Sequence, residues 1–513
     1  MSAPAPVDPI SLSVLEGGLR AICDEMGAVL IRAAHSPNIK ERHDCSTALF
    51  EPGGELVMQA EHIPVHLGSM PDAVAAVIDR AEDPAAGDLW ILNDPFAGGT
   101  HLPDVTLVSP LLHAGELLGW AASRAHHADI GGPTPGGMPA RSRTLAEEGV
   151  VISPRLLGGD DEIRELVQIM RNPTQRLADL RAQRAANLLA AERVAELVAR
   201  DGATALRAGM MAVLDHAERR GRAAVAALPD GSFEAEDSLV AADGSPVPLR
   251  VAVTVAGEEM RVDFAGSSAQ VDGNLNCPLS VTKAAALFAV RVLTDPDAPP
   301  CAGGHRPIAI AAERGSVLNA EPGAAVAAGN VETSSRVADL VMAALADVTD
   351  GPAQGQGTMN NVTLASLGDD GGTFTYYETL GGGQGACADA AGPSAIHVAM
   401  SNTLNTPVEA LETELPMRIR SLGLRRGSGG DGRNRGGDGI VREIEALAPM
   451  RFTLITERRE VGPRGRAGGG DGAPGLNLLN GEPLEAKTEG VMQPGDVLRI
   501  ETPGGGGFGT PAE

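Results

Sequence analysis

The sequence predicts an α+β chain: a large mixed α/β subunit with an N-terminal metal-site region, a central helical segment and a β-rich, glycine-rich C-terminal half. Three observations lead there. Apolar residues keep helical spacing through residues 161–227, they fall into short or alternating runs elsewhere, and glycine punctuates those runs, at 65 of 513 residues. The glycine has no triplet period, which excludes collagen. It also lies among apolar segments, which argues against disorder and for tight turns and backbone-lined loops.

The Pro/Ala-rich first fifteen or so residues are expected to fray. Leu15, Leu19, Ile22, Met26, Val29 and Leu30 then keep the spacing of an amphipathic helix. From Glu41 to about Ser123 the pattern changes to short apolar runs. STALFEPGGELVMQA reads as a hairpin turning at Pro52, Gly53 and Gly54, and DLWILNDP and VTLVSPLLHAGELLGWAAS read as further strands. Two helices are expected across 161–227, separated at Gly202. Leu249, Val251, Val253 and Val255, then Met260, Val262 and Phe264 beyond a glycine turn, give a hairpin with one buried face. The remainder mixes short strands (FTYYETL, RFTLITE, VLRIET), one helix near SRVADLVMAALADV, and glycine-dense loops. A boundary near residue 228 separates a His-rich metal-site region plus helical segment (1–228) from a β-rich glycine-loop region (229–513), with the two expected to interlock as one large unit.

Charge narrows the partners. Against 41 basic side chains stand 67 acidic ones, a net −26, and such a surface repels phosphate backbones and anionic membranes. Neither nucleic acid nor a membrane is an expected partner. No window approaches the roughly 20 apolar residues of a transmembrane helix, and the opening residues lack the basic-then-apolar order of a signal peptide. Cys23, Cys45, Cys277, Cys301 and Cys387 are scattered without a CxxC pair, so reduced thiols and a cytoplasmic location are expected.

Histidine placement is the most informative feature. Eight of the 11 histidines lie between residues 35 and 127. NDPFAGGTHLPDVT sets His101 and Asp104 three apart across a proline, in a rigid turn. RAHHADIGG follows with His126, His127 and Asp129. Two imidazoles and a carboxylate are the minimum set for a divalent ion with open positions; a histidine-rich, metal-free turn is the alternative, and spacing leaves both open. His113, in a hairpin turn, is expected to be exposed. Lys40, Glu41, Arg42, His43 and Asp44 precede a strand, either as a solvated helix end or as acid/base and substrate-anchoring groups. His62 and His66 read as substrate contacts or structural support. Cys45 reads as a small buried hydrophobe rather than a nucleophile. The glycine clusters do not match GxxxxGK[ST], and none of the three lysines follows one, so nucleotide binding by this chain alone is not expected.

Taken together, SPNIKERHDCSTALF, HIPVHLGSMPDAV, GDLWILNDPFAGGTHLPDV, HHADIGGPTPGGMP, GNVETSSRVADLV, YYETLGGGQGA, SNTLNTPVEALE and GGGGFG resemble the B subunit of the hydantoinase/oxoprolinase family, which also includes subunits of acetone and acetophenone carboxylases. The resemblance runs through nearly the whole chain and departs at Cys45, where the family often has an aromatic residue. It implies a cytoplasmic hetero-oligomer in which an A subunit uses ATP and Mg. It implies that His101, Asp104 and His126 hold a divalent metal (Zn, Mn or Fe). Glu41, Asp44 and Asp129 are then expected in catalysis, with His62, His66, His127, Asn93 and Asp94 as substrate or supporting contacts. The implied reaction is ring opening of hydantoin, N-methylhydantoin or 5-oxoproline, by metal-activated water attacking a carbonyl phosphorylated by the A subunit. The alternatives are a carboxylase subunit and a non-catalytic scaffold with a structural metal.

Overall fold

In the computed structural model, which describes residues 8–61, 63–66, 68–367 and 374–511, the hairpin expected around residues 104–126 forms the centre of a six-stranded sheet. Its strands are β1 (Cys45–Phe50), β2 (Leu56–Glu61), β3 (Trp90–Leu92), β4 (Asp104–His113), β5 (Glu116–His126) and β6 (Arg155–Leu156), in the order β2-β1-β5-β4-β3-β6. Ala114 (φ 51°) and Gly115 (φ 82°) make the left-handed turn that the right-handed twist of a tight hairpin favours. The register pairs Asp104 with His126, so two candidate ligands 22 residues apart in sequence face each other at the open end of the hairpin.

The pleat of β1 sorts its side chains. Cys45 and Leu49 join the core under helices Pro9–Ala33 and Pro173–Asp201, while Ala48 and Phe50 pack beneath helix Met70–Ile78 with Trp90 and Trp120. The first helix begins earlier than the composition suggests. Pro9 occupies its first turn, and Asp8 Oδ1 accepts from the amides of Ile10 and Ser11 at 3.1 Å each, so residues 9–15 are capped and helical rather than frayed.

In the second half, Gly231–Val240, Pro246–Ala256, Glu259–Asp263 and Ile308–Ala311 form a four-stranded sheet. Helices Leu279–Thr294 and Ser334–Thr349 pack against each other beside it. Only the second of these helices is expected from sequence. The first is apolar nearly all round, and a helix buried on most sides has no polar stripe to mark its period. The largest core cluster joins Ile63, Val65 and Met138 to Val251, Val262 and Leu340, so residues on both sides of position 228 share one interior. Two further sheets complete the C-terminal half. No helix among the described residues is long and apolar enough to cross a membrane.

The glycine excess has a structural use. The segment 503–509 threads between four others without forming a pleated sheet. Gly505 donates to Gly437, Gly506 to Gln354 and Gly507 to Gly470, while Ala386 and Gly430 donate back to Gly506 and Gly505, all at 2.8–2.9 Å. A Cβ on Gly505 would lie 2.0 Å from the carbonyl oxygen of Gln384, and one on Gly437 would lie 1.9 Å from that of Pro393. Backbone is packed directly on backbone, a spacing that only glycine permits.

Candidate metal centre

Three strands and one loop deliver the site. β4 begins at Asp104, β5 ends at His126, and β1 begins just after Asp44, whose carbonyl accepts the amide of His126 at 3.1 Å. These three residues therefore meet at one end of the sheet. His101 comes from the preceding loop, which Asn93 pins by donating to the carbonyls of Leu102 (2.8 Å) and Val150 (2.9 Å) and accepting from Ile152. Asp94 caps the short helix Pro95–Ala97 through Phe96. At Gly98 (φ 89°) a Cβ would collide with the backbone of Ala73 at 2.2 Å, so this loop lies flat on helix Met70–Ile78.

His101 Nε2, His126 Nδ1 and Asp104 Oδ1 form a triangle with every side 3.2 Å, and all three residues are buried. Ligand atoms held ~2.0–2.2 Å from one ion stand about 3.0–3.5 Å apart, so the triangle has the dimensions of a coordination face. Without a cation it is frustrated: protons shared with Asp104 from both imidazoles would leave two N–H groups facing each other. Thr100 donates to the other carboxylate oxygen, and His66 Nε2 lies 3.6 Å from it. His66 Nδ1 is anchored on Ser46 Oγ at 2.8 Å.

Protonation suits ligation. Burial pushes His126 down to about 4 despite the opposing pull of Asp104, and it lowers His66 as well, so both rings keep free lone pairs at neutral pH. Burial alone would raise Asp104, but the His101, His126 and His66 imidazoles outweigh it and hold the carboxyl well below its usual range. Asp44 moves the other way. Burial and then the charge of Asp104 push it up to about 7, against Arg42 and His101.

A small pocket opens onto the triangle, lined by Asp44, His66, Ile63, Val65, Asn330, Val331, Met359, Tyr377, Thr379, Ser401 and Thr403. The structure thus brings Asp44, His66, His101, Asp104 and His126 together. Glu41 sits half-buried past the short helix Pro37–Lys40 and does not line the pocket. Asp129 accepts from the amides of Gly131 and Gly136 at 2.7 Å each and pairs with Arg171 at 3.3 Å, which shapes the adjoining glycine loop. His127, pushed down to about 4 by burial, meets Gln183 at 2.9 Å behind the hairpin. His62 lies outside the described residues. His113 is exposed, and Cys45 is buried with its thiol pushed up by burial, as its reading as a small hydrophobe requires.

Tyr377 and Asn330 are absent from the sequence-derived set. Tyr377 stacks on His126 with ring centroids 4.5 Å apart and planes 12° from parallel, and donates to Asn361 at 2.7 Å. The available signal was composition, for the chain's 2 tyrosines are adjacent. Asn361 in turn donates to Glu332 at 3.0 Å. Burial, then the charge of Glu457, push Glu332 up to about 8 from an ordinary 4.5. The unfolded chain therefore loses this proton well below the pH at which the folded chain does. Stability then falls as pH rises from about 4.5 to about 8 and levels off above. Glu332→Gln should flatten that slope and gain stability over wild type at pH 8–9, measured by urea unfolding at successive pH values. A slope unchanged by the substitution would contradict the assignment.

Comparison with known proteins gives a consistent identity. The Hydantoinase B/oxoprolinase family model matches residues 8–511. The 5-oxoprolinase of Dictyostelium discoideum is 37% identical over 519 residues, an alignment covering 98% of this chain but 40% of that protein. The ATP-dependent caprolactamase of Pseudomonas jessenii superposes with a TM-score of 0.91 at 27% identity, covering 99% of this chain and 92% of that one. The fold is also that of an acetone carboxylase chain, with a TM-score of 0.89 at 19% identity, over 98% of this chain and 76% of the other. A match along nearly the whole chain, on a fold shared in the same order, makes this chain a member of the hydantoinase B/oxoprolinase family.

Proposed function

We propose that this chain is the ring-opening component of an ATP-dependent cyclic amide hydrolase acting on a hydantoin, N-methylhydantoin or 5-oxoproline type of ring. The observation that carries the reading is the buried His101–Asp104–His126 triangle with one side facing a small pocket. A divalent ion held by these three residues supplies Lewis acidity, polarising a carbonyl or lowering the pKa of a water. The chain's own groups do the rest. The aliphatic walls from Ile63, Val65, Val331 and Met359 exclude bulk water and sharpen every charge inside. Tyr377 fixes the plane of the His126 ring. Asp44, a buried carboxyl at the pocket wall, is suited to take a proton from an attacking water and return it to the departing nitrogen.

Nucleotide use is assigned to an A-type partner. No phosphate-cradling motif stands in the sequence, and the chain spans about two fifths of the length of the 5-oxoprolinase relative. Phosphorylation of the ring carbonyl by the partner would make a poor amide electrophile reactive. To test this, the chain and its partner are purified together and assayed with ATP against hydantoin, N-methylhydantoin and 5-oxoproline, with acetone plus bicarbonate as the counter-substrate. Ring opening that requires both chains, stops with a chelator and returns with added metal is expected. ATP use driven by acetone and bicarbonate without ring opening would favour the carboxylase reading instead. Loss of the fold on chelation would point to a structural metal.

A further inference from the structure

Besides the ring nitrogens of His66, His101 and His126, the pocket beside the triangle holds one buried polar atom that the chain leaves unbonded. Asn330 is 3% exposed, is the only carboxamide among the described residues lining the pocket, and its Oδ1 has no hydrogen-bond partner. Buried acceptors are nearly always paired, so one left free at a pocket wall points to a donor arriving with a ligand.

The local backbone holds this side chain in place. Gly329–Thr333 is a single turn of π-helix ahead of helix Ser334–Thr349, a widened turn of the kind that marks functional sites. The hydroxyls of Ser334 and Ser335 bond the carbonyls of Asn330 and Val331 at 2.5 and 2.9 Å, and Thr333 bonds that of Leu275 at 2.6 Å. A Cβ on Gly329 would lie 1.9 Å from the carbonyl oxygen of Asn276, so the turn is seated directly on backbone.

We propose that Asn330 reads the ring nitrogen of the cyclic amide: its Oδ1 accepts the N–H and makes the site selective for rings unsubstituted at that nitrogen. This rests on the hydrolase reading above. The carbonyl of such a ring is drawn to the ligand triangle. Its N–H, entering beside Val331, Met359, Ile63 and Val65, needs an acceptor that those side chains cannot offer, and the hydroxyls of Thr379, Ser401 and Thr403, which also line the pocket, are already engaged with Arg42, His397 and one another.

The test is steady-state kinetics of the assembled, metal-loaded enzyme with hydantoin, 1-methylhydantoin and 3-methylhydantoin, for wild type and Asn330→Leu. Leucine keeps the branching and heavy-atom count of the asparagine side chain, offers no acceptor and opens no space for a methyl group. In wild type, methylation of one of the two nitrogens should lower kcat/KM roughly 10- to 100-fold. In the variant, hydantoin should lose that advantage while the methylated ring keeps its rate. Asn330→Ala serves if the leucine variant does not fold, and each ratio is taken within one preparation, so it does not depend on the folded fraction. A methyl penalty equal in wild type and variant, or no penalty at either nitrogen in wild type, overturns the role of Asn330 alone. Failure of wild type to open any ring overturns the hydrolase reading and the inference with it.

Discussion

If the proposed hydrolase reading holds, Asp104→Asn should abolish divalent-metal binding and lower turnover of the enzyme assembled with its partner on the order of 10³-fold or more. The substitution keeps size and shape and removes only the charge. That charge organises the site: His101 and His126 both stand 3.2 Å from Oδ1, while Thr100 and His66 address Oδ2. An asparagine offers the triangle one neutral oxygen and, on its other edge, an NH₂ facing the His66 nitrogen. Metal analysis after dialysis is the direct readout, with circular dichroism to establish that the fold persists. His113→Ala, on the exposed hairpin turn, is the control and should leave both metal and turnover unchanged. Full metal retention in Asp104→Asn would refute the assignment of this carboxylate.

The largest loss of stability should come from Glu378→Leu. Glu378 is fully buried, bonds Arg442 through both oxygens at 3.1 and 3.0 Å, accepts from Tyr376 at 2.9 Å and lies 3.9 Å from the buried Arg42. Removing it strands two guanidinium groups in a water-free interior. The expected cost is about 3–5 kcal/mol, the usual penalty for orphaning a buried charge. The damage should also reach the pocket, because Arg42 holds Thr379 and Thr403, both lining residues, at 2.8 Å each. Adding Arg442→Met should recover part of the stability, since an apolar pair replaces an ionic one where a lone charge stood. Urea unfolding midpoints of the single and double variants measure both effects. A double variant no more stable than Glu378→Leu would show that the pair is not where the energy resides.

The candidate ligands were legible in the sequence as residue types, a histidine and an aspartate three apart across a proline and a histidine pair beyond, with the family resemblance selecting among them. Their contact was less so: counting outward from the Ala114–Gly115 turn would set Asp104 opposite Ala125, and a bulge beyond Leu112 shifts the register by one residue and brings His126 there instead. Asp44 could be suspected but not placed, for its neighbours come from pairing β1 with the distant β5. Asp129 shows the limit of reading by residue type. It lies beside the same histidines in sequence, yet the chain bends so that its oxygens meet the amides of Gly131 and Gly136. Asn330, Tyr377 and Thr403 reach the pocket from the C-terminal half, and no local pattern reveals that convergence. The helix Leu279–Thr294 escaped notice for the opposite reason, being too uniformly buried to show a period.

The glycine weave has a kinetic side. Segment 503–509 bonds to chain near residues 354, 386, 430–437 and 470, so its contacts exist only once those distant segments have met. Closing such loops costs chain entropy before any bond forms, and contacts of this range slow folding. With glycine throughout, there is also little side-chain burial to hold the segments together while they wait for the last one. The weave should therefore be the late, cooperative step of folding, a clasp that shuts after the sheets are built. Until it shuts, its backbone amides and carbonyls stand open to water and to other chains, and the unfinished protein is most exposed to aggregation in that interval.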